Sequence, residues 1–249
     1  MLTDDELDRY ARQIVLPAWG GVGQQRVRAA NVCVIGAGGI GSAVIPALAG
    51  AGIGRLTIVD GDTVELSNLH RQPLFRTHDR GKGKADLAAA FVATRNPHVA
   101  TIAIARRIER SNSAEILTGH DLVIDGSDNF ATRLAVSDTC VALDIPLVSA
   151  AAVQFQGQLG LFRGRPCYRC FVGDAFDSDE CDNCSELGVL GALTATLGSA
   201  AALLALRVLA QVGTDSAGRL DLFDGLTGEW RRMRLPPDPG CRACGTPQT

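Results

Sequence analysis

The sequence predicts an α/β fold with a doubly wound, mainly parallel sheet and antiparallel strands added towards the C-terminus. Short apolar runs of strand length alternate with helical stretches between Asn31 and Ala150, as in a parallel sheet covered by helices on both faces. From Gln154 the strands become shorter and alternate in polarity, as in QGQLGLF. Apolar residues make up 46% of the 249 residues and charged residues 20%, a composition typical of a folded chain.

The N-terminal helices and the alternating core can be placed in order. We predict helices over Thr3–Ile14, whose first turn is rich in Asp and Glu, and over Gln24–Ala30, after a glycine-rich turn. The strands that follow are predicted at Asn31–Ile35, Leu56–Asp60, Ala100–Ala105, Leu122–Asp125 and Leu147–Ala150. The helices between them are predicted up to about Gly52, over Gly83–Arg95, near Asn112–Leu117 and over Phe130–Leu143.

The C-terminal portion contributes edge strands, at QGQLGLF, RLDLF and EWRRMRL. The charge-free stretch Leu187–Leu206 reaches transmembrane length. Glycine and hydroxyl residues interrupt it, so we predict a core helix buried on all sides and no membrane contact. No linker or internal repeat divides the chain. We therefore predict a single domain over 1–249, with N-terminal helices (1–30), a nucleotide-binding core (31–150) and a C-terminal portion (151–249).

A glycine motif follows the first predicted strand, VCVIG. Gly36, Gly38 and Gly41 have the Gly-x-Gly-x-x-Gly spacing at the entry to a helix, where the backbone must turn tightly and approach a phosphate. Asp60 ends the second strand at the distance where an acidic residue accepts hydrogen bonds from ribose hydroxyls. Together these features predict a Rossmann-like nucleotide site. The segment SNLHRQ then places Asn68, Arg71 and Gln72 beyond the second strand's carboxyl end, where ligands of such sheets bind.

Charged candidates for phosphate chemistry are Arg71, Lys84 and Asp128. Lys84 begins a helix in GKGKADL, although a solvated helix lysine is the ordinary alternative. Asp128 follows a strand in DGSDN and is suited to Mg²⁺. Its alternative role is to cap the next helix, which Asn129 could also do.

The composition indicates which kinds of partner and which cellular compartment to expect. The formal net charge is −3 with no basic stripe interleaved with aromatics, so we expect no nucleic-acid partner. The acidic start MLTDDELDRY lacks the apolar core of a signal peptide. We therefore expect a cytoplasmic, reducing location, where eight cysteines are better suited to metal binding or nucleophilic chemistry than to disulfides.

The cysteines divide into two groups. Cys33 and Cys140 lie in apolar segments and are predicted to be core residues. The other six form Cys-x-x-Cys pairs, and any two of these pairs would supply the four thiolates of a tetrahedral zinc site. The pairs are Cys167/Cys170, Cys181/Cys184 and Cys241/Cys244.

These motifs, in this order, resemble the ThiF/MoeB/HesA family, the bacterial relatives of ubiquitin-activating enzymes. The likeness is carried by GAGGIG, VDGDTVELSNLHRQ, DGSDN and the distant cysteine pairs, and it runs from RYARQI to GCRACG. It implies an adenylyltransferase that uses ATP and Mg²⁺ to activate the C-terminal glycine of a ubiquitin-like sulfur carrier protein. It also implies a homodimer. Because we find no appended rhodanese domain, we expect the sulfur to come from a separate persulfide donor protein.

The resemblance assigns roles to residues. It implies zinc binding by Cys167, Cys170, Cys241 and Cys244, and catalytic roles for Arg71, Lys84, Asp128 and Cys184. Arg12 corresponds to an arginine that reaches the neighbouring subunit's triphosphate. The full predicted nucleotide set is Gly36, Gly38, Gly39, Gly41, Asp60, Asp62, Ser67, Asn68, Arg71, Gln72, Lys84, Ser127, Asp128 and Arg12.

Alternatives remain for the role of the CDNC segment and for the pathway. Cys184 corresponds to a cysteine that forms an acyl-persulfide link with the carrier, or it is an incidental surface cysteine. Cys181 could resolve a persulfide, form a regulatory disulfide or compete for zinc. SAAAVQFQGQL and LFDGLTGEWR are closer to ThiF and thiamine synthesis than to MoeB and molybdopterin synthesis. Other classes to be weighed are an NAD-dependent oxidoreductase with structural zinc and a non-catalytic scaffold.

Overall fold

The computed structural model describes residues 2–174 and 187–245, and within them one eight-stranded sheet has the order β3-β2-β1-β4-β5-β6-β7-β8. The first five strands are parallel, in the doubly wound order 3-2-1-4-5. The strands are β1 (Asn31–Ile35), β2 (Arg55–Val59), β3 (Ala100–Ile104), β4 (Leu122–Asp125), β5 (Leu147–Val153), β6 (Gln156–Phe162), β7 (Arg219–Asp224) and β8 (Glu229–Arg234).

Helices cover both faces, as the alternating pattern predicted. Side chains of β1 alternate between two cores: Val32 and Val34 pack on one face, Cys33 and Ile35 on the other. The predicted mixed sheet with antiparallel C-terminal strands is therefore confirmed. The helices are α1 (Asp4–Arg9), α2 (Ala11–Ile14), α3 (Gly20–Ala29), α4 (Gly41–Ala51), α5 (Lys84–Arg95), α6 (Ser113–Leu117), α7 (Phe130–Ala142), α8 (Tyr168–Val172) and α9 (Gly191–Ala210).

The first predicted helix is divided at Tyr10. A capping box between Thr3 and Glu6 begins α1, but Tyr10 leaves helical geometry with φ −101° and ψ 9°. Its ring is fully buried against Gly52, where an added Cβ would lie 2.3 Å from the ring. Its hydroxyl accepts a 2.8 Å hydrogen bond from Asn96. Burial of this one side chain thus sets the local backbone.

The second helix begins earlier than the sequence predicted. The glycines expected to form a turn are the first turn of α3, which starts at Gly20. An added Cβ at Gly23 would lie 3.3 Å from the Trp19 ring, and the indole donates a 3.0 Å hydrogen bond to Gln24. The glycines therefore serve close packing here instead of ending the helix.

Strand β5 runs three residues beyond its predicted end. Ala151 and Ala152 have weak strand propensity, yet the strand continues because it pairs with β6 up to Val153 and Gln156. Gln154 and Phe155 form the connecting turn, with Gln154 at φ 52°. This extension carries Ala151 and Ala152 to the cleft described below.

Helix α9 accounts for most of the charge-free stretch. It is the one described helix that is long and apolar enough to cross a membrane by length and composition. It packs against α4, α3, β5 and β6. The face that contacts these elements therefore lies in the core, as predicted. Burial on all sides was wrong, because Leu203 is 61% exposed on the opposite face.

Candidate active site

The candidate site is a cleft of about 480 Å³ at the carboxyl ends of β1, β2 and β4, where ligands of doubly wound sheets bind. Of the predicted nucleotide residues, twelve line it and two do not. Gly41 begins α4 and does not line the cleft, and Arg12 lies exposed on α2, away from the cleft. The residues that line it are Gly36, Gly38, Gly39, Asp60, Asp62, Ser67, Asn68, Arg71, Gln72, Lys84, Ser127 and Asp128.

The glycine loop is shaped by close backbone contacts. Gly36 has φ +88°, a conformation that L side chains rarely adopt. An added Cβ on Gly41 would lie 2.1 Å from the Gly36 carbonyl oxygen, so the helix can start against the strand only without a side chain there. At Gly38 an added Cβ would point into the cleft and meet only Gln72, at 3.6 Å. The loop thus leaves room for a phosphate beside the start of α4.

Asp60 is held at the end of β2 by backbone amides. Its carboxylate accepts 2.8 Å hydrogen bonds from the amides of Ala37 and Asp62. Burial raises its pKa, while those amides and the charge of Lys84 oppose the rise. The carboxylate is therefore oriented towards the cleft, where it can accept hydrogen bonds from ribose hydroxyls.

Two cations meet at Asp62. Lys84 lies at the start of α5 and is buried, with its Nζ 3.5 Å from one carboxylate oxygen. Arg107, from the loop after β3, lies 3.3 Å from the other oxygen. The solvated-lysine alternative for Lys84 does not fit its 6% exposed side chain. This group places positive charge at one end of the cleft.

The SNLHRQ segment lies at the rim of the cleft, and its first two residues belong to a 3₁₀ turn, Leu66–Asn68. Arg71 donates to the Ser67 carbonyl at 3.1 Å and lies 2.9 Å from a ring nitrogen of His70. The Gln72 side chain is buried, and its Oε1 has no hydrogen-bond partner within the described ranges. The hydroxyl of Ser127 also lacks a partner there. Buried polar atoms without partners are costly, so these two fit a polar ligand such as ATP.

The alternative between Asp128 and Asn129 as a helix cap is resolved. Asn129 caps α7, accepting a 2.8 Å hydrogen bond from the Thr132 amide. The Asp128 carboxylate is exposed at the cleft and forms no hydrogen bond or ion pair with residues 2–174 or 187–245. A carboxylate placed in this way suits a hard cation such as Mg²⁺.

Three cleft arginines were missed by sequence reasoning. Arg106, Arg107 and Arg133 line the cleft, but none of them belongs to a motif. Arg133 is buried at 4% exposure, and its position one helical turn after the DGSDN segment was the only available signal. Cys181 and Cys184 lie outside the described residues.

A second, smaller cavity of about 220 Å³ adjoins the cleft at Asp128. It lies between the start of α7 and the strands β5, β6 and β7. Tyr168, whose buried hydroxyl has no hydrogen-bond partner in the described part of the chain, lines it together with Gln156, Gln158 and Arg133. Its other walls are mostly apolar, so it is suited to an extended chain with few polar groups.

A four-cysteine cluster lies apart from the cleft. The Sγ atoms of Cys167, Cys170, Cys241 and Cys244 all lie within 4.8 Å of one another, and four sulfurs around one zinc ion would be about 3.8 Å apart for Zn–S bonds of about 2.3 Å. Burial raises the pKa of Cys167, and that of Cys244 to about 11. A bound cation would stabilise the thiolates, so the cluster fits Zn²⁺.

A buried arginine connects this cluster to its surroundings. Arg169, 2% exposed, donates to both carboxylate oxygens of Asp138 on α7, at 3.0 and 2.6 Å, and to Asp174 at 2.6 Å. Arg242 in the C-terminal tail lies 3.2 Å from the same Asp174. The cluster is therefore attached both to α7 and to the tail.

Fold and site together define a doubly wound α/β protein with a cleft suited to a nucleotide and a separate four-cysteine cluster suited to a metal ion. The ThiF family matches residues 10–243, and the chain belongs to this family. The resemblance stated from the motifs is confirmed.

Relatives of high coverage carry adenylyltransferase names. A sulfur carrier protein adenylyltransferase of Thermus thermophilus is 43% identical over 99% of this chain and 94% of its own length. A molybdopterin-synthase adenylyltransferase of Escherichia coli is 37% identical over 98% of each chain. The crystal structure of E. coli MccB has a TM-score of 0.83 at 23% identity, covering 96% of this chain and 72% of that one; it shows the fold alone. The predicted enzyme class, an adenylyltransferase, is confirmed by the named relatives.

Proposed function

We propose that this protein adenylates the C-terminal glycine carboxylate of a ubiquitin-like sulfur carrier protein with ATP, releasing pyrophosphate. The observation that carries the proposal is the cleft itself. Asp60, placed to accept hydrogen bonds from ribose, a glycine loop and the cations Arg71 and Lys84 line the same cleft as Asp128, whose carboxylate has no partner among the described residues. The names of the relatives support the same reaction.

The chemistry follows from the placement of charge. A carboxylate oxygen of the carrier attacks the α-phosphorus, forming an acyl–phosphate bond, and the bond to the β-phosphate breaks to release pyrophosphate. Negative charge grows on the phosphate oxygens, so Arg71 and Lys84, fixed before reaction, stabilise the transition state. Asp128 would hold Mg²⁺, which supplies Lewis-acid stabilisation of the same charge.

The second cavity would receive the end of the carrier chain. It opens onto Asp128 and is lined by the small residues Ala151, Ala152 and Gly157. A narrow passage of this kind favours a tail that ends in glycine over one with bulky side chains. The carboxylate would then enter the cleft at the α-phosphate.

The particular carrier is a finer question. The ThiF-like segments favour a ThiS-like carrier and thiamine synthesis. The E. coli molybdopterin-synthase relative supports a MoaD-like carrier and molybdopterin synthesis as the second candidate. In either pathway we propose a cytoplasmic homodimer, with Arg12 reaching the neighbouring subunit, and a separate protein as persulfide donor.

Pyrophosphate exchange tests the proposal directly. Purified protein, ATP, Mg²⁺ and labelled pyrophosphate are incubated with ThiS-like and MoaD-like carriers, each paired with a control carrier that lacks its final glycine. Label should enter ATP only with an intact carrier, and the faster carrier identifies the pathway.

Absence of exchange with every carrier would contradict the proposal. Turnover of NAD(P)H by the same preparation would favour the oxidoreductase instead.

A further inference from the structure

We infer that Arg133 is a positioning residue for this reaction: its buried guanidinium holds the loop Gly126–Asp128 by the Ser127 carbonyl and so fixes the position of Asp128. The inference rests on the proposed function for the role of Asp128. It concerns a residue that belongs to none of the sequence motifs.

The guanidinium joins three chain segments. It projects from α7 and donates to the Ser127 carbonyl, to the Ala150 carbonyl at 2.9 Å and to the Ser149 hydroxyl at 3.1 Å. Ser149 and Ala150 lie on β5, and Ser127 lies in the loop after β4. Arg133 therefore fastens this loop to the neighbouring strand.

Asp125 holds the same loop from its other side. This fully buried residue ends β4 and accepts a 2.9 Å hydrogen bond from the Ser127 amide. Its second carboxylate oxygen lies 4.0 Å from Arg133. Both polar backbone groups of Ser127, its N–H and its C=O, are thus bonded to members of one buried ion pair.

The backbone must set the position of Asp128, because no described residue bonds to its carboxylate. Gly126 has no side chain that could hold the loop in place. None would fit there, since an added Cβ would lie 2.9 Å from Ile40. A displacement of about 1 Å at a reacting group can cost about 10²-fold in rate. Fixing the loop therefore matters more for the rate of the reaction than for the stability of the fold.

Energetics also favour a positioning role. Removing two charges from water is expensive, and an apolar pair of similar volume is often as stable or more stable. An arginine at 4% exposure is therefore a poor choice if it serves packing alone. A directional donor that reaches three acceptors is what the loop geometry requires.

The variants separate the bonds of Arg133. Arg133→Met removes all donors but keeps an unbranched chain. Arg133→Lys keeps a charge and restores part of the contact with the Ser127 carbonyl. Ser149→Ala is the matched control, because it removes one Arg133 contact on β5 and leaves the bond to the loop in place.

Hydrogen exchange in nucleotide-free protein reads the loop independently of activity. In Arg133→Met the hydrogen-bonded amides of Gly126 and Ser127 should exchange at least ~10-fold faster than in wild type, since local openings limit protection. Arg133→Lys should be intermediate, and Ser149→Ala should match wild type.

Kinetics then connect the loop to the reaction. Arg133→Met should lower kcat for pyrophosphate exchange by ~10–100-fold and raise the Mg²⁺ concentration needed for half-maximal rate, with partial rescue by lysine.

Three results would overturn the inference: a lowered melting temperature with unchanged loop exchange, a loss of rate without faster loop exchange, or equal losses in Ser149→Ala. If Arg133→Met fails to fold, the same comparisons apply to Arg133→Lys. If wild type shows no pyrophosphate exchange, the proposed function fails, while hydrogen exchange still decides whether Arg133 holds the loop.

Discussion

The parallel and antiparallel halves of the sheet are stabilised in different ways. Strands β1, β2 and β4 are buried almost throughout, between two layers of helices. Strand β8 is exposed at every position and is held by cross-strand pairs, such as Phe223 with Trp230 at 4.7 Å between ring centroids. The parallel half is the well-packed support of the candidate cleft. The antiparallel half depends for its stability on cross-strand pairs and on the cysteine cluster.

Because the two halves differ in this way, substitutions that reduce activity should be separable from substitutions that reduce stability. The cleft residues project from loops at the end of a well-packed core, so their loss should leave the fold intact. Residues of the antiparallel half, which is called the extension below and comprises β6 to β8 with the cysteine cluster, should affect the reaction only through the shape of the second cavity. Five predictions, from the largest expected effect to the smallest, test that division.

The largest effect is expected for Asp128→Ala. Loss of a metal-binding carboxylate should reduce pyrophosphate exchange by ~10³-fold, because a metal ion contributes several kcal/mol to the transition state. The melting temperature should not change, since Asp128 forms no bond with described residues.

Asn129→Ala is the matched control for Asp128. It removes the α7 cap, should cost about 1 kcal/mol of stability and should keep most of the activity. An active Asp128→Ala protein would refute the metal role.

A pair of core and edge substitutions compares the halves directly. Ile58→Ala in β2, at a fully buried position, should lower the free energy of unfolding by about 2–5 kcal/mol. Met233→Ala in β8, 48% exposed, should change it by less than about 1 kcal/mol. Denaturant unfolding of both proteins measures the difference. Similar losses would show that the extension is as tightly packed as the core.

Zinc should stabilise the extension. Wild-type protein purified without chelators should contain about one zinc ion per chain, and Cys241→Ser should lose it. The tail should then become sensitive to protease and the melting temperature should fall by several degrees, which elemental analysis and thermal unfolding measure. Cys140→Ala, another buried cysteine, should keep its zinc. Zinc-free wild-type protein would rule out the assignment.

The raised pKa of Asp60 should give nucleotide binding a pH dependence. Ribose hydroxyls donate to the ionised carboxylate, so affinity should fall as pH falls through this pKa, at a higher pH than for an ordinary aspartate. Its contribution to folding has the opposite sign: a raised pKa in the folded state favours the protonated form, so that contribution is present at low pH and lost as pH rises.

Calorimetric titration with an ATP analogue between about pH 5 and 8 measures the affinity. Asp60→Asn should bind more weakly at neutral pH and lose this dependence. An unchanged pH profile in that variant would assign the titration to another group.

The smallest effect is expected for Cys184→Ser, which lies outside the described residues. Adenylation needs no thiol, so pyrophosphate exchange should equal that of wild type. A covalent adduct with the carrier, in the presence of a persulfide donor, should disappear. Mass spectrometry decides between the two roles of this cysteine, because an adduct that persists in the variant excludes the link.

The sequence predicts the parallel half better than the antiparallel half, for a physical reason. Strands buried on both faces are continuous apolar runs, so β1 and β4 were placed with their observed bounds. Strand β5 was predicted too short, because residues 151–153 join the strand only through pairing with β6. The short helix α8 was missed, since five residues are too few to show a helical period.

The cleft shows the same limit. Motif residues such as Asp60 and Lys84 could be named from spacing and resemblance, and the structure places both in the cleft. Whether Asp128 or Asn129 caps α7 could not be decided, because either side chain can do so. Arg133 could not be found at all, since its partners lie on β5 and in the loop after β4 and are brought together only by the fold.

The cysteine cluster also has a consequence for the order of synthesis. Cys167 and Cys241 are separated by 74 residues, and Cys241 and Cys244 are translated after all eight strands. While the chain is being made, the parallel half can pack before the four sulfurs can meet, because domains fold from the N-terminal side during translation. The extension must therefore wait for its attachment through the cysteine cluster until the last ligands leave the ribosome. Zinc supply during translation should then influence how much of the protein reaches its native state.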